Sequence, residues 1–112
     1  SYAGPYPKLS VFQGSSDIVV YPANREELVE QWTAVHGADA VADTSQTVGD
    51  VTRELFKTSA GVPVVYSYRI SGMPHGVPVD PGTAAHQGGS AGFGYYDVDL
   101  WGAWRAAEDW GI

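Results

Sequence analysis

The 112-residue chain contains no cysteine. That excludes disulfides, thiolate nucleophiles and zinc–thiolate centres, and it leaves the redox compartment undetermined. Basic residues are also scarce, with six Lys and Arg against 13 Asp and Glu and a formal charge of −7. They form no cluster, so neither nucleic acid nor an anionic membrane is an expected partner; an acidic, solvated surface accounts for the imbalance. No apolar run approaches the ~18 residues of a membrane-spanning helix, and no signal peptide is evident. The first residue is Ser1 rather than Met, consistent with removal of a leader, a precursor segment or an initiator Met. What is present is a globular composition, 44% hydrophobic with four Trp and seven Tyr. It fits one domain portion over residues 1–112 with a modest core.

Ser1 to Pro7 reads as a lead-in, and Lys8 to Gln13 as a short, mostly apolar strand suited to a buried parallel position. After Ile18 to Pro22, Asn24 as N-cap with Glu27 resembles a capping box opening a helix. Leu28, Trp32 and Val35, with Val29 beside them, make its apolar face, and Gly37 after His36 is a left-handed stop. Ala38 to Gly49 is small and polar and reads as a loop with room for one helical turn. Val51–Lys57 and Val62–Ile70 are two extended runs, the second alternating as strands do, and their four-residue connection predicts a hairpin. Ser71 to Tyr95 is Gly- and Pro-rich, a long irregular loop of the kind that usually carries function. Asp97 or Asp99 is expected to cap a final helix with Leu100, Trp104, Ala107 and Trp110 as its stripe and an outward Arg105–Asp109 pair. Trp32, Trp104 and Trp110 read as core and Trp101 as a surface aromatic. The order of strands and helices predicts a parallel sheet with packed helices, too few strands to close a layer, and hence part of a larger sheet.

Two loops hold the chemistry. Gly14-Ser15-Ser16-Asp17 follows the first strand, and Gly72-Met73-Pro74-His75-Gly76 follows the second arm of the hairpin. Alone, an Asp on a Gly/Ser turn is usually a local cap, and a lone His is ambiguous. Together, on loops directly after strands with a helix between, they suit an acid that orients a general base, since sites in open α/β sheets gather at the carboxyl ends of strands.

The segment Leu9 to Asp17, with Val20, Pro22, Ala23-Asn24, Glu27-Leu28-Val29 and Gln31-Trp32, resembles the region around the acid in secreted polyhydroxybutyrate-depolymerase-like serine esterases. These are α/β-hydrolases related to feruloyl and acetylxylan esterases. Gly72 to Gly76 with Pro78-Val79-Asp80-Pro81-Gly82 is similar to that family's catalytic-histidine loop, and Trp110-Gly111-Ile112 to its usual ending. The resemblance implies the C-terminal portion of an α/β-hydrolase domain, incomplete without upstream strands. Asp17 would be the triad acid and His75 the base, in hydrolysis of carboxylic esters such as polyhydroxyalkanoates or feruloyl esters, with no metal or cofactor. It also implies secretion. The family order of Ser, Asp, His would put the nucleophile upstream of Asp17, where Ser1, Ser10, Ser15 and Ser16 lack a Gly-x-Ser-x-Gly setting. The implied partner is the complementary N-terminal part of the same domain, carrying the serine on a second chain or on a segment missing from this sequence. Many relatives have a cysteine near Gln87-Gly88-Gly89, so a family disulfide is absent.

Gly88-Gly89-Ser90-Ala91-Gly92 does match Gly-x-Ser-x-Gly. Its flanks show neither the strand nor the helix of a nucleophile elbow, so Ser90 is a weak candidate. His36 reads as a helix-end residue. His86 with Asp80, Asp97 and Asp99 follows no defensible metal-ligand spacing, so no metal site is expected. Two other readings are a non-catalytic hydrolase remnant that binds a partner through its incomplete sheet and a complete mini-esterase using Ser90.

Overall fold

A computed structural model describes residues 6–112, so the lead-in before Tyr6, and Ser1 with it, lies outside the described residues. In chain order the elements are β1 (Leu9–Gly14), α1 (Ala23–Val35), β2 (Thr44–Val48), β3 (Val51–Lys57), β4 (Pro63–Ile70), β5 (Val77–Val79), β6 (Tyr95–Asp97) and α2 (Gly102–Trp110). Four strands form one sheet in the order β1-β4-β3-β2, and β5 and β6 form a separate parallel pair. β1 runs parallel to β4 from Leu9↔Val65 to Gly14↔Ile70. The β3–β4 hairpin forms as its alternation predicts, antiparallel from Val51↔Ile70, with a register shift at Phe56/Lys57. The sheet is therefore mixed rather than all-parallel. The segment from Ala38 to Gly49 is not only loop: Thr44–Val48 pairs antiparallel with β3 as a fully exposed edge strand. Its polar Thr-Ser-Gln-Thr sequence hides the strand because neither side needs to be apolar. The Gly- and Pro-rich stretch likewise contains the three residues of β5.

β4 contributes side chains to two cores. Val64, Val65 and Phe56 pack with Val29 of α1, while Tyr66, Tyr68 and Ile70 pack with Met73 and Leu100. Helix α1 covers the first face. It does so through Arg25, Val29 and Thr33 rather than the expected Leu28 and Val35, which are exposed. Arg25 is drawn inward because its Nη1 donates to Ser67 Oγ at 2.7 Å on the fully buried middle of β4. The helix also begins two residues earlier than its capping box implies. Pro22 is the N-cap with no side-chain cap, and Asn24 Nδ2 donates back to the Tyr21 carbonyl. A proline's fixed φ prepares the first turn without a side-chain acceptor. Gly37 does adopt the left-handed conformation, at φ 70°.

Helix α2 sits on the opposite face, and its capping differs too. Trp101 is the N-cap, and the Asp97 carboxylate accepts from the Asp99 amide within its own turn. Asp109 is not on the outer side. It is buried, with Oδ2 accepting from the Tyr68 hydroxyl at 2.5 Å and from Ser10 Oγ at 3.1 Å, and Oδ1 from Arg53 at 2.9 Å. Arg105 pairs with Glu108 instead. Trp110 is exposed rather than core, and Trp101 is half-buried. Gly111, at φ 77°, ends the helix with its amide on Glu108 and the Ile112 amide on Ala107, a Schellman-type closure. No helix among the described residues is long and apolar enough to cross a membrane.

Candidate active site

Because β1 and β4 are parallel neighbours with Gly14 beside Ile70, their loops leave the sheet at one edge. The two loops are stitched together at once. The Ser15 amide donates to the Ile70 carbonyl at 2.9 Å and the Ser16 amide to the Met73 carbonyl at 3.1 Å, while Ser15 Oγ accepts from the Gly72 amide at 2.7 Å. A Cβ on Gly14 would lie 1.9 Å from the Met73 carbonyl oxygen, so only glycine permits this approach. Gly72, at φ 79°, makes the tight exit from β4.

This arrangement brings Asp17 and His75 together across 58 positions of chain, with His75 Nδ1 3.0 Å from Asp17 Oδ2. Asp17 is buried, and its carboxylate is fully occupied. Oδ1 accepts from the amides of Val19 at 2.9 Å and Val20 at 2.8 Å, and Oδ2 from Gln13 Nε2 at 2.9 Å as well as from His75. Burial by itself would raise the Asp17 carboxyl. The Val20 amide, the His75 ring and the Val19 amide outweigh it and hold the group below the usual carboxylate value. An ionised carboxylate only accepts, so Nδ1 carries the proton and the other ring nitrogen is left free as a base.

The His75 side chain is 53% exposed and borders a cleft of about 580 Å³ walled by Ile18, Val19, Val77, Phe93, Tyr95 and Tyr96. Among the described residues, no carboxylate or ammonium lines this cleft. The arrangement can abstract and return a proton beside an apolar surface, which is the base half of acyl-transfer chemistry.

Ser90 is not part of it. It is exposed on an irregular loop between the Asp80–Gly88 and Gly92–Tyr95 bridges, with β5 ending at Val79 and no helix after it, and it does not line the cleft. The strained strand-to-helix turn of a nucleophile elbow is absent there. Of the other serines near the acid, Ser10 donates to Asp109 and Ser15 accepts from Gly72. His36 closes α1 and its Nε2 lies 2.8 Å from the Pro7 carbonyl. The carboxylates of Asp80, Asp97 and Asp99 do come together, within 4.8 Å of one another. His86 is not among them and packs edge-on against Trp104. Gln13 is the participant that the sequence does not announce. Its only signal is a polar residue at the buried end of an apolar strand.

No protein-family model matches the chain. Among curated proteins it is 47% identical over 111 residues to Poly(3-hydroxyalkanoate) depolymerase C of Paucimonas lemoignei, covering 99% of this chain and 27% of that protein. It is 31% identical over 78 residues to Acetylxylan esterase A of Aspergillus ficuum, and 29% over 79 residues to Probable acetylxylan esterase A of Aspergillus clavatus, each match covering 70% of this chain and 25% of the relative. The chain thus spans about a quarter of the length of these relatives. An identity of 47% sustained along nearly the whole chain, with the weaker esterase matches behind it, supports a relationship to the polyhydroxybutyrate-depolymerase-like esterases over about a quarter of their length.

Proposed function

We propose that the chain supplies the acid and the base of a serine ester hydrolase, as the C-terminal portion of an α/β-hydrolase domain. The single observation that carries this reading is the 3.0 Å contact between His75 Nδ1 and the buried, multiply bonded Asp17 carboxylate at the rim of an apolar cleft. Two parallel neighbouring strands with acid and base on their carboxyl-end loops support the fold part of it. The nucleophilic serine is contributed by a segment other than the one described, a complementary N-terminal part of the domain. The names of the relatives, a poly(3-hydroxyalkanoate) depolymerase and acetylxylan esterases, support a carboxylic ester as the substrate. The aliphatic and aromatic cleft wall favours an apolar ester over a highly hydroxylated one. Secretion follows from the resemblance as part of the same proposal.

In this mechanism the free ring nitrogen of His75 takes the serine hydroxyl proton as the oxygen attacks the ester carbonyl. The tetrahedral intermediate expels the alcohol, which receives that proton, and water then repeats the sequence on the acyl-enzyme. Asp17 fixes the tautomer and compensates the imidazolium. Substituting His75→Ala in the assembled hydrolase is expected to lower kcat by at least ~10³-fold while folding is kept. Hydrolysis at the parental rate would remove the assignment. A second reading, a non-catalytic interaction module, is favoured by the outer edge of β1, which pairs with no strand among the described residues. Under that reading the same substitution changes no ester turnover.

A further inference from the structure

We infer that Gln13 is the positioning residue of the Asp17–His75 pair, an inference that rests on the acid–base reading above. Gln13 is buried at the end of β1, next to the glycine on which the acid loop turns. Its Nε2 makes two hydrogen bonds of 2.9 Å, one to Asp17 Oδ2 and one to the Val20 carbonyl. Both of the protons on that nitrogen are therefore in use. The amide orientation follows from its partners: turned over, the carboxamide oxygen would face a carboxylate and a carbonyl, both acceptors.

The consequence is a carboxylate with no rotational freedom. Three donors other than His75 hold it: the two amides on Oδ1 and Gln13 on Oδ2. A carboxylate offers about four acceptor positions, and the one left over is directed at His75 Nδ1. Gln13 alone among the three acts on the oxygen that His75 uses. It also ties that oxygen to the end of the acid loop, because its second proton fixes the Val20 carbonyl. Val19 and Val20 bond the acid through their backbones and tolerate side-chain change, whereas the Gln13 contribution resides wholly in its side chain. Among the described residues nothing else bonds Nδ1 of the half-exposed imidazole, so its tautomer depends on where Oδ2 stands.

The test reads the tautomer directly. In the 112-residue chain with ¹⁵N-labelled histidine, long-range proton–nitrogen correlation near pH 8 is expected to show His75 with its proton on Nδ1. In Gln13→Met, similar in size and without a donor, the population is expected to move to the Nε2–H form that unrestrained imidazole favours. In the assembled hydrolase the same variant is expected to lose roughly tenfold in kcat with little change in KM. A folded Gln13→Met chain that keeps His75 in the Nδ1–H form would overturn the inference, as would a parental chain without that tautomer. If amide dispersion shows that the Met variant is unfolded, Gln13→Asn, whose amide is withdrawn by one methylene, is judged by the same criterion. A purely packing role for Gln13 would lower the melting temperature and leave the tautomer in place. Retained hydrolysis in His75→Ala would instead remove the esterase reading, with the tautomer result standing on its own.

Discussion

The acid–base pair rests on a division of labour between one buried and one exposed residue. Asp17 lies under the loop with every acceptor position filled, and His75 stands over it with half its surface in solvent. Because its carboxyl is held below the ordinary value of 3.8, Asp17 binds protons less readily folded than unfolded. The stability it contributes is therefore fully present above about pH 5, and it is lost as pH falls through the lowered folded value. The stability difference between the parental chain and Asp17→Asn, measured by urea unfolding, is expected to be constant from about pH 5 to 7 and to shrink between about pH 4 and 2. A difference that stays unchanged down to about pH 2 would contradict the bonding described for Asp17. At this scale the sequence is half legible. Asp17 and His75 are visible because Gly-rich turns after strands mark positions where a side chain can serve a site. Gln13 is invisible because its role depends on a carboxylate four residues away that folds back over it. Nothing local in a polar residue at a strand end tells of that.

Two close contacts join the elements, one between the site loops and one under α2. The first is the approach of Gly14 to Met73. A methyl group there meets a carbonyl rather than the end of a flexible side chain, so Gly14→Ala must push the acid and histidine loops apart. We expect it to cost about 2–3 kcal/mol in chemical unfolding and to weaken the coupling of Asp17 to His75. A loss below roughly 0.5 kcal/mol would show that the loops separate freely. The second is the buried cluster of Asp109 with Tyr68, Arg53 and Ser10, which pins α2 to the sheet. Burial first, and then the bond to Asp109, push the Tyr68 phenol well above its ordinary value. Asp109→Ala strands an arginine and a buried hydroxyl and is expected to cost about 3 kcal/mol, the low end of the range because Arg53 is partly solvated. Calorimetry showing an unchanged melting temperature would contradict it. The reading of this helix from sequence fails at Asp109 for a physical reason. A charged residue four positions after an arginine looks like a surface pair, and only the sheet beneath reveals the tyrosine and arginine that make its burial tolerable. The β3–β4 hairpin is legible because period-two alternation is a property of the strand itself. β2 is not, because an exposed polar edge has no pattern to display.

For the molecule as a whole, the chain is a mixed sheet with one helix on each face and one functional edge, matching about a quarter of the length of its esterase relatives. Asp17 and His75 meet on that edge, beside an aliphatic and aromatic cleft wall. Ser90 lies exposed on an irregular loop between the Asp80–Gly88 and Gly92–Tyr95 bridges, without the strand-to-helix turn of a nucleophile elbow. The assembled hydrolase is thus the object in which the central claim is decided, and the measurement is its steady-state ester hydrolysis with Asp17→Asn. That variant keeps the shape of the side chain and withdraws its charge from His75. With Asp17 orienting His75, kcat is expected to fall by about 10³-fold or more with folding intact; a folded variant within about twofold of the parental rate would contradict that role.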